Sequence, residues 1–499
     1  MLDLYLGLCL DSTMSAKLSL IPFRRDLVAD LDTPVSVYLQ LRQPYSFLLE
    51  SVTGGEHIAR YSIIGFDPLC RLRSYDQETH VFDANGNKTV VAAPILETLQ
   101  DQYDRFHVDF PEDWPFFSGG AVGFFSWETF GRMEPVVFPQ GKPGLKLPSA
   151  EFVFPASLVI FDHVKRMMSV VVFAPETEAA RALGRIDDIV AQIRAPLRHP
   201  ILEVPRPQDP FVRAVPGMSN EAFFDMIRAG QRHIYEGDVF QLVLSQPFFM
   251  ESQKDPFDVY RALRLINPSP YMFFFDMADY QFAGASPEIL VRLQDREAVV
   301  RPIAGTRPRI LGQEAAQQLS LRQDEKEVAE HVMLVDLGRN DLGRVCDGIA
   351  TSDLMTFEAY SHVIHMVSHV KGRLRDGLTA FDLFRATFPA GTLSGTPKIR
   401  AVSLIEKLEP YHRGPYGGAL GYIDFQGNMD LCIMIRTTVS VPAENRETLS
   451  SGIPTAACQD GGSRLYVVQA GAGVVADSDP EYELKECRAK AKGVLSACL

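Results

Sequence analysis

Two pairs of glutamates, each pair separated by three positions, are the first candidates for chemistry in this 499-residue chain. Glu483 and Glu486 lie in QAGAGVVADSDPEYELKECRAKA (469–491), and Glu327 and Glu330 in RQDEKEVAEHVMLVD (322–336). Residues three apart on a helix share a face, so each pair presents two carboxylates side by side. Alone, either pair reads as a solvated acidic face. Brought together, four carboxylates would repel unless a hard cation such as Mg²⁺, held by one or two of them and by waters, lay between. Lys490 follows Glu486 by four positions, the spacing of an ion pair on a helix.

Proton transfer has separate candidates. His362, His365 and His369 lie on or beside one strand, where His365 and His369 share a face by period two. A strand histidine is often simply packed and hydrogen-bonded, but its affinity for protons near neutrality also suits a general base. Arg436 in CIMIRTTV is a lone cation among apolar strand residues. Pointing inward, it needs an anion, either a structural carboxylate or one on a substrate. GASPE, IAGTR, PAGTLSGTPK, YGGALGY and the run Gly471-Ala472-Gly473 leave room for a ligand against the backbone. None matches GxxxxGK[ST] or GxGxxG in its required context.

Positioning these residues requires elements in a definite order. The first half is predicted to be strand-rich, with a helix over Thr33–Leu41 and strands at Tyr45–Ser51, Tyr61–Phe66, Cys70–Ser74, Gly119–Trp127, Phe152–Phe161 and Met167–Phe173. Apolar spacing predicts a helix over Glu176–Ile193. The proline-rich segment after it cannot continue a helix and reads as a linker. Beyond it, Ser219-Asn220-Glu221 opens a helix, Asp238–Gln246 is a strand, and a short helix reaches Leu265. Strands at Tyr271–Asp276 and Phe282–Ala285 precede Ser286-Pro287-Glu288, and a hairpin of Ile289–Leu293 with Ala298–Ile303 runs into IAGTR. One amphipathic helix is predicted over about Leu319–Leu337. A strand at His362–Val370, helices over Ala380–Phe388 and Pro397–Leu408, and a hairpin of Gly418–Asp424 with Asp430–Val439 come next. A polar insertion lies between Val441 and Arg464, and the closing helix starts at Asp479, a capping residue, with Pro480 at its first position. The division read from this pattern is a loose tail (1–20), an N-terminal regulatory domain (21–195), a linker (196–216) and a catalytic domain (217–499).

Composition excludes several classes. A net charge of −14 argues against a general nucleic-acid binder, which needs clustered lysine and arginine. An anionic small molecule stays possible, since local arginines and a metal outweigh the global field inside a cleft. Seven scattered cysteines without a Cys-x-x-Cys pair suit a reducing cytoplasm. No stretch is long and apolar enough to cross a bilayer, so no membrane partner is expected.

IAGTRPR, EKEVAEHVMLVDLGRNDLGRV, VIHMVSHVKG, PAGTLSGTPK, GPYGGALGY, MIRT and QAGAGVVADSDPEYE follow one another in an order and spacing that resembles the motifs of the chorismate-utilising enzymes. LLES (48–51) resembles the anthranilate-forming large subunits within that family. The resemblance implies an α+β fold: two large, mostly antiparallel sheets packed as a sandwich and flanked by helices, with the active site between them. It implies conversion of chorismate and ammonia to anthranilate and pyruvate with Mg²⁺ on the ring carboxylate, in tryptophan biosynthesis. Glu330 and Glu486 would be direct metal ligands, with Glu327 and Glu483 holding metal-bound waters. Arg436 and Tyr416 would bind the enolpyruvyl carboxylate, with the backbone at Gly471, Ala472 and Gly473 closing around it and Lys490 adding positive charge. Gly305, Thr306 and Thr392 would line the ring site. Glu288 resembles the acid that protonates the departing hydroxyl, and His365 the residue required when pyruvate leaves and the ring aromatises.

Relatives that make aminodeoxychorismate typically carry a lysine where this chain has Ala304, and isochorismate-forming relatives one where it has Gln241. With neither lysine, ammonia from a separate glutamine amidotransferase subunit is the implied nucleophile. Glu50, Ser51 and Arg60, with Pro270, Tyr271 and Met272, resemble a feedback site for tryptophan. Two readings compete with this one: a sister enzyme forming aminodeoxychorismate, and a non-catalytic sensor of tryptophan or chorismate.

Overall fold

The computed structural model describes residues 17–51, 60–75, 77–112, 114, 117–136, 138–139, 141–197, 199, 201–205, 208–359, 363–442 and 464–499. The first half contributes β1 (Leu18–Val28), β2 (Ser46–Glu50), β3 (Tyr61–Tyr75), β4 (Glu78–Asp83), β5 (Lys88–Val91), β6 (Phe106–Val108), β7 (Gly120–Phe125), β8 (Ala150–Asp162) and β9 (Met167–Ala174). The second half opens with β10 (Val215–Pro216), β11 (Gln241–Ser252), β12 (Tyr271–Asp276), β13 (Gln281–Ser286), β14 (Ile289–Gln294), β15 (Glu297–Val300) and β16 (Ile303–Pro308). It continues with β17 (Cys346–Ala359), β18 (Val363–Leu374), β19 (Gly395–Thr396), β20 (Ala419–Asp424), β21 (Met429–Ile433), β22 (Thr437–Pro442) and β23 (Arg464–Val474).

β8 is buried along its whole length and is the strand from which two sheets diverge. Its Ser157–Asp162 end pairs with β9 and its Ala150–Val153 end with β7. One sheet runs β8–β3–β2–β12–β13–β22–β23–β11. The other runs β8–β7–β20–β21–β14–β15–β18, with β16 following β15 along β18 and β17 on the far edge of β18. All of these pairings are antiparallel, which lets short turns join neighbours and leaves one face of each sheet free to pack. The faces meet on aromatic rings: Phe124 of β7 lies edge-on to Phe282 of β13, centroids 4.8 Å apart. Each such buried ring is worth roughly 1.5–3 kcal/mol of transfer free energy. The expected α+β sandwich is therefore observed, and β2–β12 and β7–β20 pairing joins the first and second halves of the chain in one hydrogen-bonded framework.

Local signals acted as read at several ends. Thr33 caps the helix Pro34–Leu41 in a reciprocal box with Ser36, and Asp479 accepts from Glu481 N at the start of Pro480–Cys498. Elsewhere the structure corrects the pattern. Residues 1–16 of the expected tail lie outside the described residues, and Leu18–Leu20 are already strand, paired with Phe106–Val108. The single helix expected over Leu319–Leu337 is two, Glu314–Gln323 and Glu325–Gly343, broken where the Asp324 carboxylate accepts from Glu327 N at 3.2 Å and caps the second. β17 was not foreseen, because its face is polar and half-exposed and its Asp353 and Met355 take positive φ. The insertion at 443–463 lies outside the described residues.

Candidate active site

Two of the places where the chain passes from one sheet to the other each carry a site residue. β13 of the first sheet passes to β14 of the second through Pro287-Glu288, and β21 of the second returns to β22 of the first through Met434–Arg436. Hydrogen bonds staple the crossings together: Ile433 N to Glu288 O at 3.0 Å, Ala285 N to Arg436 O at 3.1 Å, and Ser286 Oγ to Ile433 O at 2.7 Å. The strand expected through Asp430–Val439 thus breaks, since one straight strand cannot serve both sheets. Arg436 takes φ +52 at the break, a conformation costing a non-glycine residue about 1–3 kcal/mol and found where surrounding structure enforces it.

Glu288 is buried, and burial pushes its carboxyl up to about 7 against the pull of Thr392, whose hydroxyl donates to Oε1 at 2.9 Å, and of Lys490, Arg301 and Arg436. It is therefore half-protonated near neutrality, as a general acid must be. Arg436 has its guanidinium affinity for the proton lowered by burial, with Tyr416, Glu486 and Glu288 opposing. Among the described residues no carboxylate lies within ion-pair distance of it. A buried guanidinium so placed favours an anionic ligand. Tyr416, whose own hydroxyl is held protonated by burial, stacks 5.5 Å from the Arg413 guanidinium.

His365 of β18 stands opposite Thr306 of β16 on one side and Glu358 of β17 on the other. Gly305 lies in the bulge of β16 at φ +75, and its backbone hydrogen-bonds the His365 ring. A side chain at 305 would be strained there and would sit 3.2 Å from Glu327 Oε2. Burial lowers His365 to about 4, so the imidazole is neutral at physiological pH. His362 lies outside the described residues. His369 is farther along the strand, 3.6 Å from Asp353.

The two glutamate helices approach each other at their N-terminal ends, where Lys326 Nζ is 3.7 Å from Asp477, just ahead of the Pro480–Cys498 helix. Glu330 accepts from Gln241 Nε2 at 3.2 Å. Its carboxyl is raised by burial and then by the charges of Glu327 and Glu486. Glu483 is raised likewise by burial and by Glu486. Glu327 pairs with Arg307 at 2.8 Å and Glu486 with Lys490 at 2.6 Å, while Lys490 also donates to Gly471 O at 3.1 Å. All four carboxylates therefore belong to one neighbourhood, although their oxygens are not gathered to ligand spacing. Hard oxygen donors that raise one another's proton affinity fit a divalent cation. Among the described residues the one group with ligand atoms within 4.8 Å of each other is His233, Glu236 and Asp238, and there Asp238 is engaged by Arg400 and His233. On β23, a Cβ at Gly471 would lie 2.5 Å from the Leu244 carbonyl oxygen, so strand packing alone requires that glycine. Ala472 and Gly473 pair with Leu244 and Val243.

Away from this site, Glu50 of β2 is the cross-strand partner of Met272 of β12, which brings the two remote segments together. Their polar atoms diverge. Glu50 is bound by Tyr260 at 2.5 Å and Arg264 at 2.9 Å, Arg60 turns to Asp162 at 3.0 Å, and the Tyr271 hydroxyl donates to Asp430 at 2.9 Å. Pro270 is buried beside Tyr271. An open cavity of about 680 Å³ is lined by Glu50, Ser51, Asp162, His163 and Arg264. Sequence reading missed Arg301 and Glu358, the ion pair beside His365. The one signal was a lone cation in VVRPI, resembling that of Arg436.

A family model described as chorismate binding enzyme matches residues 44–496. Anthranilate synthase component 1 of Acetivibrio thermocellus is 39% identical, over 97% of this chain and 96% of its own length. That of Synechocystis sp. is 41% identical over 96% of each. The crystal structure of anthranilate synthase component I from Streptococcus pneumoniae TIGR4 superposes with a TM-score of 0.76 at 33% identity, covering 94% of this chain and 99% of that one. The isochorismate synthase MenF of Escherichia coli, 17% identical, shares the fold with a TM-score of 0.71 over 97% of this chain and 96% of that one.

Proposed function

The chain belongs to the family of chorismate binding enzymes, and on that premise we propose that it is the large subunit of an anthranilate synthase, joining ammonia to chorismate and releasing pyruvate. One observation carries the reading. A carboxylic acid held near 7 and an imidazole held near 4 flank a buried guanidinium that has no carboxylate partner among the described residues. Chorismate is a dianion whose conversion needs one proton given and one taken.

In the first step ammonia forms a C–N bond to the ring as the ring C–O bond breaks, and Glu288 gives its proton to the departing hydroxyl, which leaves as water. Thr392 holds the acid in place. In the second, His365 takes the ring proton, the electron pair aromatises the ring as the bond between the ring carbon and the enolpyruvyl oxygen breaks, and the departing enolate takes up a proton at its methylene carbon to leave as pyruvate. Arg436 and Tyr416 hold the enolpyruvyl carboxylate throughout. Glu330 and Glu486 would hold Mg²⁺, with Glu327 and Glu483 acting through water, and the ion would neutralise the ring carboxylate.

Ala304 is buried opposite Met366, and Gln241 is tied to Glu330, so neither position offers an amine. This supports ammonia as the nucleophile, supplied by a glutamine amidotransferase partner. Tryptophan would inhibit by binding near Glu50 and Ser51. Its preference for the less active state would be a coupling of about 1–3 kcal/mol. A cytoplasmic location is part of the proposal, supported by the five free, buried cysteines among the described residues. No helix among the described residues is long and apolar enough to cross a membrane.

The test is direct. Purified chain with chorismate, ammonium and Mg²⁺ should yield fluorescent anthranilate, suppressed by tryptophan. Glutamine should replace ammonium only when an amidotransferase subunit is added. A folded, Mg²⁺-loaded sample that leaves chorismate untouched overturns the assignment, and a non-aromatic amino product without pyruvate would instead identify the aminodeoxychorismate-forming sister.

A further inference from the structure

Arg413 stands three residues before Tyr416 with its side chain 0% exposed, and the carboxylate it holds, Glu409 at the end of the helix Lys398–Leu408, is as deeply buried at 2%. The pair is bidentate, Nε to Oε2 at 2.9 Å and Nη2 to Oε1 at 2.6 Å. Neutralising Glu409 needs only that fork. The same guanidinium goes further, Nη1 donating to Leu393 O at 2.8 Å and Nη2 to Val243 O at 2.6 Å. Leu393 follows Thr392, whose hydroxyl holds Glu288, and Val243 of β11 is paired with Gly473 of β23. Glu409 extends the reach, accepting from Ser245 N at 2.8 Å and Ser245 Oγ at 2.9 Å, while Ser245 Oγ accepts from Gln469 of β23. On its flat faces the Arg413 guanidinium lies 4.2 Å from the Trp127 ring centroid and 5.5 Å from that of Tyr416, and Tyr416 N donates to Arg413 O at 3.2 Å.

We propose that Arg413 is a positioning residue: it sets the Tyr416 ring, which holds the enolpyruvyl carboxylate, against the Gly391–Ser394 turn, which holds the acid, so that one guanidinium keeps the carboxylate clamp and the proton donor in register. The inference rests on the reading of Tyr416 as carboxylate binder and Glu288 as acid. A guanidinium suits the task because its five donors are fixed in one plane and both faces can stack, whereas an ammonium carries the same charge on a flexible stem. Burial strengthens each of these bonds and makes its loss costly, so the arrangement is held to one geometry. Glu288 itself faces Thr392 from the Gly391–Ser394 turn, Lys490 from the Pro480–Cys498 helix, Arg301 from the β15–β16 link and Arg436 from the β21–β22 crossing. Asp341 of the Glu325–Gly343 helix, paired with Lys398, shares the same cavity wall. Arg413 reaches this set through Leu393, the neighbour of Thr392.

The experiment compares Arg413→Lys, which keeps the charge and loses the planar fork, with the pair Arg413→Met and Glu409→Gln, which removes both charges and leaves Ser245 an amide oxygen. Each is also combined with Thr392→Val and with Tyr416→Phe. The readouts are KM for chorismate, the pH dependence of kcat/KM at a fixed concentration of unprotonated ammonia, and thermal unfolding. Arg413→Lys should raise KM about 10- to 100-fold, the loss of one hydrogen bond to a charged group. It should also move the alkaline limb up from about 7 by at most about one pH unit, as the Thr392 bond slackens. The charge-free pair should show the same two changes, since it too leaves Leu393 O without the guanidinium. In the Thr392→Val background the limb should move no further, and in the Tyr416→Phe background KM should rise no further, because each partner has already lost what Arg413 secures. A folded variant in which either quantity stays unmoved overturns the inference, whatever its melting temperature, and so do full shifts added on top of the Thr392→Val and Tyr416→Phe backgrounds. Should Arg413→Lys not fold, the charge-free pair carries the comparison. An unaltered chain that makes no anthranilate at all overturns the functional reading instead.

Discussion

On the sheet side of the candidate site, Glu288 and His365 are each driven towards the neutral form by burial, with only arginines and Lys490 bringing positive charge near the acid. On the helix side, Glu327, Glu330, Glu483 and Glu486 crowd four carboxylates against Lys490, Arg307 and the Gln241 amide. The same burial has opposite uses. Where a single carboxyl or imidazole is buried, desolvation tunes it for proton transfer. Where carboxylates face one another, desolvation adds to their repulsion and creates a demand for a cation. A substrate with two carboxylates and a leaving hydroxyl needs both treatments within one cleft.

Removing the acid should have the largest effect. Glu288→Gln leaves the site's shape but cannot give up a proton, and steady-state kinetics should show kcat/KM for chorismate reduced about 10²- to 10⁴-fold. Next comes the helix side. Glu486→Gln or Glu330→Gln should raise the Mg²⁺ concentration needed for half-maximal rate by at least roughly 10- to 100-fold, the loss seen even for outer-shell partners. Titrating Mg²⁺ into chelator-stripped enzyme measures it, and if turnover proves indifferent to Mg²⁺ the contrast between the two sides is lost.

The third prediction sharpens the sheet side. At a fixed concentration of unprotonated ammonia, kcat/KM should fall as pH rises through about 7, because Glu288 must be protonated, and fall again as pH drops through about 4, because His365 must not be. The smallest effect belongs to Thr392→Val. Its hydrogen bond lowers the proton affinity of Glu288, so its loss should move the alkaline limb up. A bond worth about 0.5–1.5 kcal/mol corresponds to a shift of at most about one pH unit. A downward shift would mean that Thr392 favours the neutral acid.

Much of the strand order near the site was legible. Tyr271–Asp276 was read to the residue, because Pro270 before it and the turn after it bracket an apolar run. Both glutamate pairs were legible as helix faces by spacing alone. The break at Met434–Arg436 was not, since CIMIRTTV is apolar and β-branched throughout and nothing in it marks a change of sheet. The division at Asp324 was also hidden: a cap inside a charged amphipathic run reads as one more helical residue until Arg307 and Glu327 N are seen on its carboxylate. Glu358 stayed out of view because β17 itself was unread.

By itself, then, the sequence determined which residues could bear charge on a shared face, where helices begin, and which loops leave their backbone open, for these depend on contacts within a few positions. Only the tertiary structure decided that Glu288 and Arg436 sit on two crossings stapled to each other, that burial sets the acid near 7 and the imidazole near 4, and that Arg301 stands beside both. Those outcomes depend on desolvation and on charges brought from residues remote in sequence, Arg436 and Lys490 more than a hundred positions from Glu288 among them, and neither exists until the two sheets close.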